Sequence, residues 1–278
     1  ERPLCTYNTD SSCTDTGETP WTNAHLDGQR QILQGAGIPV LGSIVDGSRA
    51  GALSAYLASE SNRTAYAAQI VDWTVRAGLD GVDLDWEKFA FADGRDSWAS
   101  TMPRWVAFVT TLGAKLRAKG LILSATVPAG TYPFLADGSP NPGTGYWVYA
   151  WDEIIDHVDR LRIMAYDYSY ASPGPIGPWP WANDVTASAL AQVAEDTPSH
   201  RKKVWLGIPQ YSRNWVRQNP DGSFVTRGDC PAGWKPATGA SGVPGMLSQS
   251  IARATRWLWL PTDAICRKRG AWSVASSR

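Results

Sequence analysis

Five short apolar runs recur along the chain at a nearly constant interval. They begin near Pro39 (Pro-Val-Leu-Gly-Ser-Ile-Val), Asp80 (Asp-Gly-Val-Asp-Leu-Asp-Trp-Glu), Leu121 (Leu-Ile-Leu-Ser-Ala-Thr-Val), Arg160 (Arg-Leu-Arg-Ile-Met-Ala-Tyr) and Lys203 (Lys-Val-Trp-Leu-Gly-Ile-Pro), with successive starts 41, 41, 39 and 43 residues apart. Runs of this length and composition read as buried strands. Between them, over residues 63–77, 98–119 and 184–194, apolar side chains fall at three-to-four spacing, the pattern of helices with one greasy face. Strand and helix alternating at a fixed period predict an α/β protein built on parallel strands, of the (β/α)8 TIM-barrel type. A doubly wound sheet is the alternative. It would be favoured by a Gly-rich phosphate loop after a strand, and the chain has none.

Length limits how complete such a barrel is. A chain of 278 residues, 43% hydrophobic, buries one large core, so a single domain over residues 1–278 is expected. At a period near 41, however, 278 residues hold fewer than seven units where a barrel needs eight. Upstream of Pro39 there is one helix-like stretch, residues 25–35, behind a Cys-, Ser- and Thr-rich segment. Beyond Tyr211, residues 218–245 are rich in Gly and Pro and read as loop, followed by a helical or irregular tail carrying Trp257, Trp259 and Trp272. The barrel is therefore expected to be incomplete or degenerate in its N-terminal and C-terminal units.

The stretch 80–87 carries chemistry. In an extended strand alternate side chains share a face, so Asp83, Asp85 and Glu87 are expected on one side and Val82, Leu84 and Trp86 on the other. Three like charges along one strand of a closed interior repel, and the set lowers its energy by keeping a proton on at least one member. A carboxyl that stays protonated near neutral pH is a general acid, and Asp85 with Glu87 makes a candidate acid and helper for acetal or glycoside cleavage. A cation site and a satisfied polar network are the other uses of such a cluster. A calcium loop would place Gly after its acidic ligands and lacks this strand-like alternation. His25, His157 and His200 have no Cys or acidic neighbours at ligand spacing, so no metal is expected, and no Gly-x-Ser-x-Gly elbow signals a serine hydrolase.

Asp80-Gly81-x-Asp83-x-Asp85-x-Glu87 resembles the signature of family 18 glycoside hydrolases, the chitinases and endo-β-N-acetylglucosaminidases, where it ends the fourth barrel strand. Ser43-Ile44-Val45-Asp46-Gly47 loosely keeps that family's third-strand Ser-x-Gly-Gly, and Ser124-Ala125-Thr126-Val127-Pro128 resembles its fifth-strand run. Met164-Ala165-Tyr166-Asp167 matches the sixth-strand Met-x-Tyr-Asp. Gly207-Ile208-Pro209-Gln210-Tyr211-Ser212-Arg213 resembles the seventh-strand Gly-x-Pro-x-Tyr-Gly-Arg, with Ser212 in place of Gly. The resemblance covers residues 39–215. The Trp that floors the family's sugar site, on its eighth strand, has only Trp257, Trp259 and Trp272 as candidates here.

The resemblance implies retaining hydrolysis of β-1,4 bonds in N-acetylglucosamine polysaccharides or glycans, with the substrate's own acetamido oxygen as nucleophile. Glu87 would then be the general acid and base, Asp85 would hold the acetamido N–H, and Asp83 would share a proton with Asp85. Tyr166 would donate to the acetamido carbonyl, while Met164, Asp167, Tyr211 and Arg213 would shape the sugar subsite. No cofactor is implied. The alternative function is a catalytically inactive, chitinase-like carbohydrate-binding protein. Such proteins usually lose the acid, and Glu87 is present here.

Composition sets the remaining expectations. Lys plus Arg and Asp plus Glu both number 26, which gives no argument for a nucleic-acid or anionic-membrane partner. The resemblance implies a glycan partner, and a monomer is expected. No apolar run approaches the roughly 18 residues that span a bilayer, and no basic-then-apolar signal segment opens the given sequence. Cys5, Cys13, Cys230 and Cys266 lack Cys-x-x-Cys spacing; their even number fits two disulfides in a secreted protein, Cys5–Cys13 with Cys230–Cys266 being preferred among three pairings. Asn62-Arg63-Thr64 is a formal glycosylation acceptor. Of the 15 Trp, most are expected to pack the core and a few to line a groove.

Overall fold

The computed structural model describes residues 5–7, 13–15, 24–131, 145–170, 174–193, 198–213, 234–236, 246–247, 265–268 and 271–274, with side chains over 27–131, 145–170, 174–193 and 199–211. The chain divides into two compact units, Glu1–Ala165 with Trp179–Gly207, and Tyr166–Pro178 with Ile208–Arg278.

The first unit is built on five parallel strands, Leu41–Val45, Gly81–Asp85, Ile122–Pro128, Arg160–Met164 and Val204–Gly207, each of the five apolar runs supplying one. They pair in sequence order. That order belongs to an α/β barrel, since a doubly wound sheet reverses direction partway. Among the described residues the sheet has these five strands and does not close. The helices Ala24–Gly35, Glu60–Arg76, Trp98–Arg117 and Trp179–Val193 fall where periodicity puts them, with shifted ends. Glu60–Arg76 begins three residues earlier than residue 63 because the Ser59 hydroxyl caps it, accepting from the Asn62 backbone N–H at 3.4 Å.

The period itself has a structural cause. Three helices end in the same closure, with Gly37, Gly78 and Gly120 in the left-handed region at φ of 74°, 62° and 69°. The next residue then donates back into the last turn: Ile38 to Leu33, Leu79 to Thr74 and Leu121 to Leu116, at 2.9, 3.1 and 3.0 Å. This closure needs a residue that tolerates positive φ, followed by an apolar one that docks on the helix. Each strand starts within a few residues of it. Two aspartates then fix register between strands. Asp80 Oδ2 accepts from the Val40 backbone N–H at 2.7 Å and from Gln34 Nε2 at 2.9 Å, and Asp159 Oδ2 accepts from the Leu123 N–H at 2.9 Å. Asp80, the first position of the acidic signature, is thus a clamp between neighbouring strands.

Val82 and Leu84, fully buried, face the helices Glu60–Arg76 and Trp98–Arg117 and meet an aromatic core. Trp86 stacks on Tyr66 at 6.1 Å and 5° between planes, and on Phe108 at 5.0 Å and 29°. Trp105 and Phe89 complete the cluster at 5.7 and 6.1 Å from Trp86. Aromatic rings packed edge and face in this way carry the largest apolar burial available to single side chains. Trp98 and Trp151 are also buried, whereas Trp179 and Trp205 are exposed. The Asn62-Arg63-Thr64 triplet lies in a helix, and the Asn62 amide nitrogen is engaged, donating to the Tyr56 carbonyl at 3.0 Å. No helix among the described residues is long and apolar enough to cross a membrane.

In the second unit Ser212–Arg213 pairs antiparallel with Met246–Leu247, and Ile265–Lys268 lies between Trp234–Pro236 and Ala271–Val274. This corrects the expectation of loop and irregular tail: short runs such as Ala-Trp-Ser-Val have strand propensity, and pairing with a partner distant in sequence realises it. Trp272 sits in that sheet opposite Arg267. Near the amino end, Cys5–Tyr7 pairs antiparallel with Cys13–Asp15. The side chains of the four cysteines, and Trp257 and Trp259, lie outside the described residues.

Candidate active site

Asp83 and Asp85 stand on the face of the sheet opposite Val82 and Leu84. Asp83 is in register with Ser43 on one side and Ser124 on the other, and Asp85 with Val45 and Thr126. Extended structure stops at Asp85. Glu87 has helical dihedrals (φ −71°, ψ −18°) and heads the short helix Lys88–Phe91. The strand was expected to run through Glu87, and the difference has a local cause. Phe89 is drawn into the aromatic core, the Lys88 ammonium donates to the Ser48 carbonyl, and the N–H groups of Ala90 and Phe91 close on the Glu87 carbonyl at 3.0 and 3.1 Å.

The row of acids is consequently graded in depth. Asp83 is buried, at 5% exposure, Asp85 is half-buried, and Glu87 is exposed. Burial raises Asp85 to about 6, with the charges of Glu87 and then Asp83 adding to it. Asp85 therefore holds its proton to a higher pH than an ordinary carboxyl does. Asp83 Oδ2 accepts from the Thr126 hydroxyl at 2.7 Å, and its Oδ1 lies 3.9 Å from Arg162 Nη1. Among the described residues, the buried Asp83 Oδ1, Asp85 Oδ1 and Ser124 Oγ accept or donate no hydrogen bond. An acidic pocket of this kind can offer an oxygen to an incoming N–H group and a proton from the rim.

Met164 ends its strand in register with Pro128, half-buried and on the same face as Arg162. In the second unit, Tyr166, Asp167 and Tyr211 come together: the two rings pack edge to face at 6.2 Å, and the Tyr211 hydroxyl donates to Asp167 Oδ1 at 2.6 Å. Asp167 has a left-handed backbone, φ 58°, a conformation that is uncommon for a non-glycine residue and concentrates at working sites. Arg213 lies in the strand Ser212–Arg213, and its side chain is outside the described residues.

Three participants went unread in the sequence. Thr126 stands as far into its strand as Asp85 does into its own, so equal register was the signal. Arg162 alternates with apolar residues between Arg160 and Met164, two positions before Met164. Tyr149 reaches the Trp86 carbonyl from a single-turn 3-10 helix, Trp147–Tyr149, too short to leave a pattern to read. Among the described residues no group of His, Cys, Asp and Glu could hold a metal ion.

Comparison with known proteins decides the family. The family model of the glycosyl hydrolases family 18 matches residues 24–255. The chain belongs to glycosyl hydrolase family 18. The match extends beyond the residues 39–215 that carry the motifs. Among relatives of this family 18 chain, Chitotriosidase-1 of Mus musculus is 27% identical over 209 residues, covering 68% of this chain and 39% of the relative. The Chitinase-like mite allergen Der p 18.0101 of Dermatophagoides pteronyssinus is 23% identical over 197 residues, 69% of this chain and 36% of the allergen. The family 18 chain thus spans under two fifths of the length of these relatives. Of solved structures, a chitinase from Chromobacterium violaceum ATCC 12472 superposes with a TM-score of 0.56 at 24% identity, covering 80% of this chain and 63% of that one. The Bacillus megaterium QM B1551 spore cortex-lytic enzyme SleL does so with 0.58 at 16%, covering 79% and 46%. The fold is the α/β barrel of family 18, with five parallel strands among the described residues.

Proposed function

We propose that this chain is the catalytic domain, over residues 1–278, of a secreted, monomeric, retaining glycosidase that cleaves β-1,4 bonds in N-acetylglucosamine polysaccharides such as chitin. The graded row Asp83, Asp85 and Glu87 carries this reading, because its depth order suits three different tasks. Glu87, at the solvent-facing end, protonates the glycosidic oxygen and later takes a proton from water, a role commonly worth about a hundred- to ten-thousand-fold in rate. Asp85, whose Oδ1 has no donor among the described residues, accepts the acetamido N–H. That bond turns the acetamido oxygen toward the anomeric carbon, and the carboxyl stabilises the positive ring that forms. Asp83, anchored by Thr126, exchanges a proton with Asp85. Tyr166 donates to the acetamido carbonyl, and Met164, Asp167, Tyr211 and Arg213 shape the sugar subsite. The names of two relatives, Chitotriosidase-1 and a chitinase-like allergen, support chitin as the polymer.

The experiment compares N-acetylated chitin oligomers with fully deacetylated ones, products being identified by mass and the first-formed anomer by NMR. Cleavage of the acetylated series alone, with the β-anomer formed first, is expected. Equal cleavage of the deacetylated series overturns substrate assistance. Calorimetric binding without product identifies a carbohydrate-binding protein instead of an enzyme.

A further inference from the structure

We propose that Arg162 is a positioning residue that keeps the Asp83 carboxylate charged, so that the proton Asp83 and Asp85 share rests on Asp85. The inference rests on the glycosidase reading for its kinetic consequence and on geometry alone for its charge arrangement. Arg162 lies in the strand Arg160–Met164, in register with Thr126, which is itself in register with Asp85. From there its Nη1 reaches to 3.9 Å from Asp83 Oδ1, the oxygen that accepts no hydrogen bond among the described residues, while Thr126 donates to Oδ2 at 2.7 Å. One oxygen of Asp83 therefore has a neutral donor and the other a cation.

The other groups around Asp83 do not do this. Its own strand and the turn after it bring Asp85 and Glu87, both acidic. The strand Ile122–Pro128 brings Ser124 and Thr126, and the strand Leu41–Val45 brings Ser43, all uncharged. Arg160, on the same strand as Arg162, turns its guanidinium over the Trp205 ring at 4.9 Å. Among the described residues, Arg162 is the cation recorded against Asp83. Two carboxyls close together share one proton, and a cation beside one of them decides which stays ionised. A protonated Asp85 can donate to Asp83 through one oxygen and keep the other for an amide N–H, the arrangement that substrate assistance requires.

The test has two arms. Carboxyl carbon NMR of the unmodified protein without substrate reads where the proton goes as pH falls: uptake first at Asp85 is expected, and uptake first at Asp83 overturns the proposal. Arg162→Gln and Arg162→Lys are then compared. In Arg162→Gln the pair takes up protons at a pH higher by about one unit, and the acidic limb of kcat on chitin oligomers moves up with it, giving roughly tenfold lower activity well below the optimum. Arg162→Lys restores the parent limb. A loss in Arg162→Gln that is equal at every pH, with unchanged carboxyl titration, shows a merely structural role and overturns the proposal. A parent protein that cleaves nothing overturns the glycosidase reading, and the NMR arm still decides Arg162.

Discussion

The Tyr149 hydroxyl donates to the Trp86 carbonyl at 2.7 Å, joining the short 3-10 helix Trp147–Tyr149 to the peptide that separates Asp85 from Glu87, 63 residues away in sequence. Tyr149 is itself fixed, since Trp105 Nε1 donates to its carbonyl at 3.0 Å. Burial raises the phenol well above its ordinary range, so it remains a donor at any working pH. The bond sits where strand gives way to helical turn and so sets the direction in which Glu87 leaves. Tyr149→Phe keeps the ring packing and orphans a buried carbonyl. It is expected to lower stability by about 1–3 kcal/mol in urea unfolding and to reduce kcat more than it raises KM.

Gly81 explains why the acidic signature needs its glycine. A Cβ there would fall 2.1 Å from the Ile122 carbonyl oxygen on the neighbouring strand. Backbone on backbone cannot yield as a side-chain tip can. Gly81→Ala is therefore expected to cost about 3 kcal/mol or more, measured as a shift of the urea midpoint, whereas Gly37→Asn keeps a left-handed closure and costs less than 1 kcal/mol.

Asp85 makes stability depend on pH with a definite sign. Its carboxyl is raised to about 6 in the fold, against about 3.9 in an unfolded chain. The folded state thus holds the proton more tightly, and this contribution is complete below about pH 4 and lost as pH rises through about 6. Asp85→Asn removes the dependence. It is expected to match the parent near pH 4 and to exceed it at pH 7 by about 1 kcal/mol, the full shift being discounted because solvent reaches Asp85. Thermal unfolding at the two pH values checks this.

Much of this architecture is legible in the residues themselves. The recurring runs become the parallel strands because each is short and apolar, and the first three are preceded by the same helix closure, so local chemistry and tertiary position agree. The alternation of Asp83 and Asp85 with Val82 and Leu84 is likewise local. Glu87 escaped that logic because its turn is set by Phe89 entering a cluster whose other rings come from distant helices, Tyr66 from the one before and Trp105 and Phe108 from the one after. Thr126 and Arg162 escaped it for a related reason, since their meeting with Asp83 depends on the register between three strands. Asp167 and Tyr211 could be grouped from their motifs, but the left-handed backbone of Asp167 could not be read from its neighbours.

The central claim is that the exposed Glu87, at the head of its short helix, carries the transferable proton. Initial rates on N-acetylated chitin oligomers for the parent and Glu87→Gln test it most directly, with circular dichroism confirming the fold and calorimetry confirming that sugar still binds. The account predicts a fall in kcat of about a hundred- to ten-thousand-fold with binding retained. A Glu87→Gln protein that is folded, binds sugar and turns over at the parent rate would contradict it.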